Sequence, residues 1–152
     1  MKDEFQKVLN RVRDMAERQE DLDVLMKDIC DLLYDKIDHY GWVGFYLVGV
    51  PNELVLGPFT GDDTEHTNIA FGTGVCGRSA EERKTLVIQD VSEESNYLAC
   101  SLSVRSEIVV PVISNGNVVG VLDIDSDEKG PFTGDDIELL ESIVDIVGER
   151  ST

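Results

Sequence analysis

Two apolar runs, residues 107–113 (EIVVPVI) and 118–125 (VVGVLDID), flank an Asn115-Gly116 pair. Asn-Gly accepts the positive φ angles of a tight turn, so the pair predicts a β-hairpin made from the two most apolar strands of the chain. Such a hairpin commits the fold to an antiparallel sheet. Pro111 cannot donate to a sheet ladder, so it predicts an edge position or a bulge within the first strand.

The rest of the chain supplies partners for that hairpin. Residues 3–18 carry Phe5, Val8, Leu9, Val12, Met15 and Ala16 at spacings of three and four, the pattern of an amphipathic helix. Residues 21–38 repeat it more strongly with Leu22, Leu25, Ile29, Leu32, Leu33 and Ile37. Cys30 lies beside that stripe and reads as a small buried hydrophobe. Aromatic and β-branched residues over 42–50 predict a strand, Pro51-Asn52 a turn, and 54–60 a returning strand. A short strand at 68–71, a short helix at 75–83 and a strand at 84–89 follow. Residues 90–103 form a long loop without periodicity, the kind of segment that usually carries function. Thr133, with Asp136 three residues on, predicts a capped final helix bearing Ile137, Leu139, Leu140, Ile143, Val144, Ile146 and Val147 on its apolar face. The expected fold class is α+β: a central antiparallel sheet flanked by N- and C-terminal helices, in one domain over 1–152.

Charge narrows the partners. Thirty-one acids against 13 bases give a net charge of −18. Nucleic acid and anionic membrane both need a basic surface, so neither is expected. The N-terminus is charged and lacks the apolar core of a signal peptide. Three cysteines without such a signal point to a reducing cytoplasm. The apolar stripes of the terminal helices serve the monomer's core or a homodimer.

Three groups of residues could carry chemistry. GTGVCG at 72–77 matches a dinucleotide fingerprint literally, but the repeated strand–helix–strand order that fingerprint needs is missing. Its glycines read better as a tight turn with positive φ. That turn would leave Cys76 near a helix N-terminus, a setting that favours a thiolate. Cys76 and Cys100 are either a redox pair or two unrelated thiols. No C-x-x-C occurs and neither His39 nor His66 falls at a ligand spacing, so no metal is expected.

Glu107, Asp123 and Asp125 form the second group. Asp123 and Asp125 share a strand face. A two-residue hairpin loop pairs 114 with 117 and sets Glu107 opposite Ile124, facing away from both. A three-residue loop, 114–116, sets Glu107 opposite Asp123, with all three carboxyls together. Such a set either lies solvated at a strand end or forms a polar pocket for a cation, an ammonium group or a proton transfer. The third group is Trp42 and Tyr46, by default core residues, otherwise an aromatic wall beside a small ligand.

Taken in order, GWVGFYL, LVLGPFTG, GTGVCG, YLAC followed five residues later by RSEIVVPV, GVLDIDS and FTGDDIELLE resemble the free methionine-(R)-sulfoxide reductases over about residues 41–148. The resemblance implies a GAF-like domain and an enzyme acting on the free amino acid. It implies that Cys100 is the nucleophile, giving methionine and a cysteine sulfenic acid. Cys76 would then resolve that acid to a disulfide, which a thioredoxin-like donor reduces, with no bound cofactor. It further implies that Glu107, Asp123 and Asp125 hold the substrate ammonium and protonate the sulfoxide oxygen, and that Trp42 and Tyr46 lie near its methyl end. One departure stands out: the family often carries a third cysteine ten residues before the GVCG cysteine, and here that position is His66. His66 either lines the pocket or lies idle on its polar loop, and the idle reading is the favoured one. The alternative function is a GAF sensory or binding module without turnover.

Overall fold

The computed structural model of the chain describes residues 1–94 and 103–151. Two helices come first, α1 (Asp3–Arg18) and α2 (Leu22–Lys36). Asp21 caps α2, its side chain accepting from the Val24 amide at 3.1 Å. Strands β1 (Trp42–Val48) and β2 (Glu53–Thr60) form the first hairpin, turning at Asn52, which adopts φ 65°. Strand β3 (Asn68–Ala70), helix α3 (Gly74–Glu82) and strand β4 (Leu86–Ile88) follow. A single 3₁₀ turn, Val91–Glu93, breaks the long loop expected at 90–103. The central hairpin is β5 (Ser106–Ser114) and β6 (Asn117–Ser126), and helix α4 (Gly134–Arg150) closes the fold.

The six strands make one antiparallel sheet in the order β3-β2-β1-β6-β5-β4. The α+β expectation holds, with the predicted hairpin at the centre. Pro111 satisfies the edge reading of its position. Strand β4 pairs β5 only from Glu107 to Val109, so the Pro111 nitrogen faces an open edge. The nearby bulge, opposite Val112 and Ile113, belongs to the partner strand β6 and not to the strand of Pro111.

Period-two alternation divides the sheet into two faces. Val43, Phe45, Ile108, Val110, Val112, Leu122 and Ile124 point to one side, where α1, α2 and α4 cover them in the larger core. Cys30 is buried in that core, as its place beside the stripe implies, and burial pushes its thiol pKa far up. Trp42, Tyr46, Val109 and Val121 point to the other side, against Val75, Cys76 and Ala80 of α3.

Two polar devices lock the helices. Arg150 at the end of α4 donates to the Ala16, Gln19 and Glu20 carbonyls and so caps the C-terminus of α1. Thr133 and Asp136 form the predicted capping box. Asp136 is buried, and its Oδ1 also accepts from Tyr40 at 2.6 Å and lies 3.1 Å from His39 Nε2. Burial would raise its pKa, but hydrogen bonds from His39, Tyr40 and the Thr133 amide outweigh burial and hold it below the usual value. A carboxyl depressed in the folded state contributes stability in full above its unfolded pKa, about 4, and loses it as pH falls through the folded value. Denaturant midpoints measured from pH 6 to pH 2 should therefore drop on the acid side. Asp136→Asn should start lower at pH 6 and decline less steeply. An equal acid slope in the two proteins would remove Asp136 from the acid lability.

Among the described residues, no helix is long and apolar enough to cross a membrane.

Candidate active site

The α3 face of the sheet carries the chemistry. Gly72 and Gly74 adopt φ 86° and 63°, the positive angles expected of the glycine turn. The turn sets Thr73 at the N-cap of α3 and Cys76 in its first turn. Gly77 allows the helix to pack against β3, since a Cβ there would meet the Ala70 carbonyl oxygen at 2.4 Å.

The hairpin register brings the acids to the same face, by a route that neither loop length considered above provides. Ser114 pairs with Asn117, so the turn has two residues. Ile113 pairs with Val118, but Val112 pairs with Gly120, leaving Val119 as the extra residue of a bulge. That single insertion reverses the parity of the ladder. Glu107 consequently lies opposite Asp125, and Val109 opposite Asp123. The condition that a three-residue loop is needed is thus corrected. A two-residue turn plus a bulge groups the three carboxyls instead.

They are not solvated. Glu107, Asp123 and Asp125 are 2%, 1% and 2% exposed, which decides between a strand-end face and a pocket. Burial, then the negative charges of Asp123 and Asp125, push the Glu107 pKa well above its ordinary value. Burial also raises that of Asp123, against opposing interactions with Glu107, Cys76 and Asp125. Carboxyls so placed hold a proton to higher pH than free acids do. Cys76 Sγ lies 3.9 Å from Glu107 Oε2. Glu107 Oε1 and Asp123 Oδ1 are buried with no hydrogen-bond partner among the described residues.

Cys76, Glu107 and Asp123 line a cavity of about 10 Å³ together with Tyr46, His66 and Thr73. His66 therefore borders the pocket, contrary to the expectation that it lies idle. Its carbonyl accepts from the Tyr46 hydroxyl at 3.0 Å, which draws the polar loop over β1. No local sequence pattern signals this, because the contact joins residues 20 apart through the sheet.

Trp42 and Tyr46 lie on the same face, paired with Asp125 and Val121 respectively. Their rings stack at 6.2 Å, and Phe59 stacks on Trp42 at 5.4 Å. Gly44 makes room for this wall, since a Cβ there would fall 2.4 Å from the Trp42 ring. The indole nitrogen donates to the Asp62 carbonyl at 2.8 Å, so Trp42 is both buried and oriented. Cys100 lies within 95–102, outside the described residues, and with it the disulfide to Cys76 that the resemblance implies.

A six-stranded antiparallel sheet with three helices on one face and a short helix over a pocket on the other is the plan of a GAF domain. The GAF-domain family model matches residues 19–149, and the chain belongs to that family. It is 39% identical over 113 residues to the free methionine-R-sulfoxide reductase of Escherichia coli (strain K12), covering 74% of this chain and 67% of that protein. It is 40% identical over 111 residues to the enzyme of the same name from Saccharomyces cerevisiae, covering 71% and 61%. The structure of the Neisseria meningitidis free methionine-R-sulfoxide reductase in complex with its substrate superposes with a TM-score of 0.91 at 36% identity, over 96% of this chain and 87% of that one. Within the GAF domains, then, the chain belongs to the free methionine-R-sulfoxide reductases, which are oxidoreductases.

Proposed function

We propose that this protein reduces free L-methionine-(R)-sulfoxide to methionine, with Cys100 as nucleophile and Cys76 as resolving thiol. The observation that carries the reading is the placement of Cys76 beside two buried, acid-raised carboxyls, 3.9 Å from Glu107, in a chain so similar to enzymes of that name. The Cys100 thiolate attacks the sulfoxide sulfur. A proton from Glu107 passes to the sulfoxide oxygen, which makes it a better leaving group. The oxygen ends on the cysteine as a sulfenic acid, and methionine departs. Cys76 displaces that hydroxyl as water and forms a disulfide with Cys100. Two electrons from an external thiol donor of the thioredoxin type, in a reducing cytoplasm, then restore both thiols.

The remaining residues bind. Asp123 and Asp125 are suited to the substrate ammonium, because a buried carboxylate gains most from a cation that enters with it. The Trp42–Tyr46 wall suits the methyl end, where a partly positive sulfur favours an aromatic surface. The cavity of about 10 Å³ admits one water and not a whole amino acid, so substrate binding requires its walls to move.

Incubation with racemic methionine sulfoxide and dithiothreitol should consume only the R diastereomer, followed as free methionine by chromatography. If neither diastereomer is consumed, the protein is a GAF binding module and not a reductase.

A further inference from the structure

We infer that Cys76, Glu107 and Asp123 form a binding site for a borderline-soft divalent cation, of which zinc is the type. Cys76 Sγ and one carboxylate oxygen from each acid lie within 4.8 Å of one another, all on buried side chains. Ligand atoms in a tetrahedral zinc shell stand about 3.3–3.8 Å apart, so rotamer shifts of about 1 Å close the set. Glu107 Oε1 and Asp123 Oδ1 are buried and have no hydrogen-bond partner among the described residues. A buried carboxylate oxygen without a partner is costly, and a cation removes that cost at both acids together. The adjoining cavity of about 10 Å³ has room for one ion or one water and little else.

The donor set selects the ion. One thiolate with two carboxylates disfavours calcium and magnesium, which take oxygen ligands, and suits zinc or cobalt. Cys76 binds as its thiolate, and it and any protonated carboxyl of the set release their protons to solvent as the ion enters. With three protein ligands the fourth position stays open to water. A thiolate held by metal is not free to resolve a sulfenic acid, so bound zinc inhibits the reductase. That consequence rests on the function proposed above, while the binding itself does not.

Cobalt(II) provides a direct readout without turnover. Titration of the fully reduced protein with cobalt should raise a near-ultraviolet thiolate-to-cobalt absorption that saturates at about one equivalent, and added zinc should bleach it. Cys76→Ser and Cys76→Ala should abolish the band, while Cys100→Ser and Cys30→Ser retain it. Glu107→Gln and Asp123→Asn should each weaken binding at least tenfold, about the loss seen when even an outer partner is removed. No band in excess cobalt, or a band that survives in folded Cys76→Ser, overturns the site. If both Cys76 variants fail to fold, Glu107→Gln decides, and unchanged cobalt affinity there overturns it. Methionine production in chelator-treated buffer tests the reductase separately.

Discussion

Cys100→Ser should lose turnover of free methionine sulfoxide by roughly 10³-fold or more, the scale expected when the nucleophile of a covalent mechanism is removed. Cys76→Ser should fail differently. On the proposed mechanism the first half-reaction needs only Cys100 and the acids, so one methionine per protein should form in a single-turnover mixture. The cycle should then stall with a thioredoxin-type donor, because no disulfide is available for that donor to attack. Dithiothreitol should restore part of the rate by reducing the sulfenic acid directly, and dimedone should label Cys100 in the stalled protein. The buried position of Cys76, 5% exposed and beside Glu107, is consistent with a thiol that meets its partner inside the pocket. Should Cys100→Ser turn over like the parent while Cys76→Ser is inert in both half-reactions, the two roles are reversed.

Much of this site is legible in the sequence because it depends on local rules. Glycines at 72 and 74 require positive φ, and that places Cys76 in the first turn of a helix. Thr133 and Asp136 declare the start of α4 by their spacing, and Asn115-Gly116 declares the central turn. Acids at alternate positions of an apolar strand, Asp123 and Asp125, announce a shared face.

What the local rules miss is long-range. The burial of the acids depends on α3 and the 61–67 loop covering a sheet face, and no spacing within β6 reports it. The position of His66 follows from a contact between its carbonyl and Tyr46 across the fold. Asp136 is visible as a capping residue, but its partners His39 and Tyr40 lie nearly a hundred residues away. The bulge at Val119 is an intermediate case. Nothing about the residue itself marks it. Yet an Asn-Gly turn and an unbroken ladder would set Glu107 among the apolar residues of the helix-facing core. Parity therefore demands one extra residue between the turn and the acids.

Deletion of Val119 should be tolerated, while a one-residue shift made on top of it should be among the most damaging changes in the chain. Val112 and Gly120 already pair across the bulge, as do Ile113 and Val118. Removing Val119 joins Val118 to Gly120, so the two-residue turn runs into an unbroken ladder with Glu107 still opposite Asp125. That variant should keep a cooperative unfolding transition and a buried Glu107. An alanine inserted between Val109 and Val110 of the deleted protein then meets a ladder with no bulge left to absorb it. Val109, Ile108 and Glu107 exchange faces relative to β6. Ile108 leaves the core formed with α1, α2 and α4, and Glu107 enters it. The exchange buries a charge among apolar side chains and exposes a large aliphatic one, on the order of several kcal/mol per residue exchanged. A domain typically has about 5–15 kcal/mol of total stability, so the double variant should leave no cooperative unfolding transition. A folded double variant with parental activity would mean that a bulge forms freely along the hairpin and does not set which way Glu107 points.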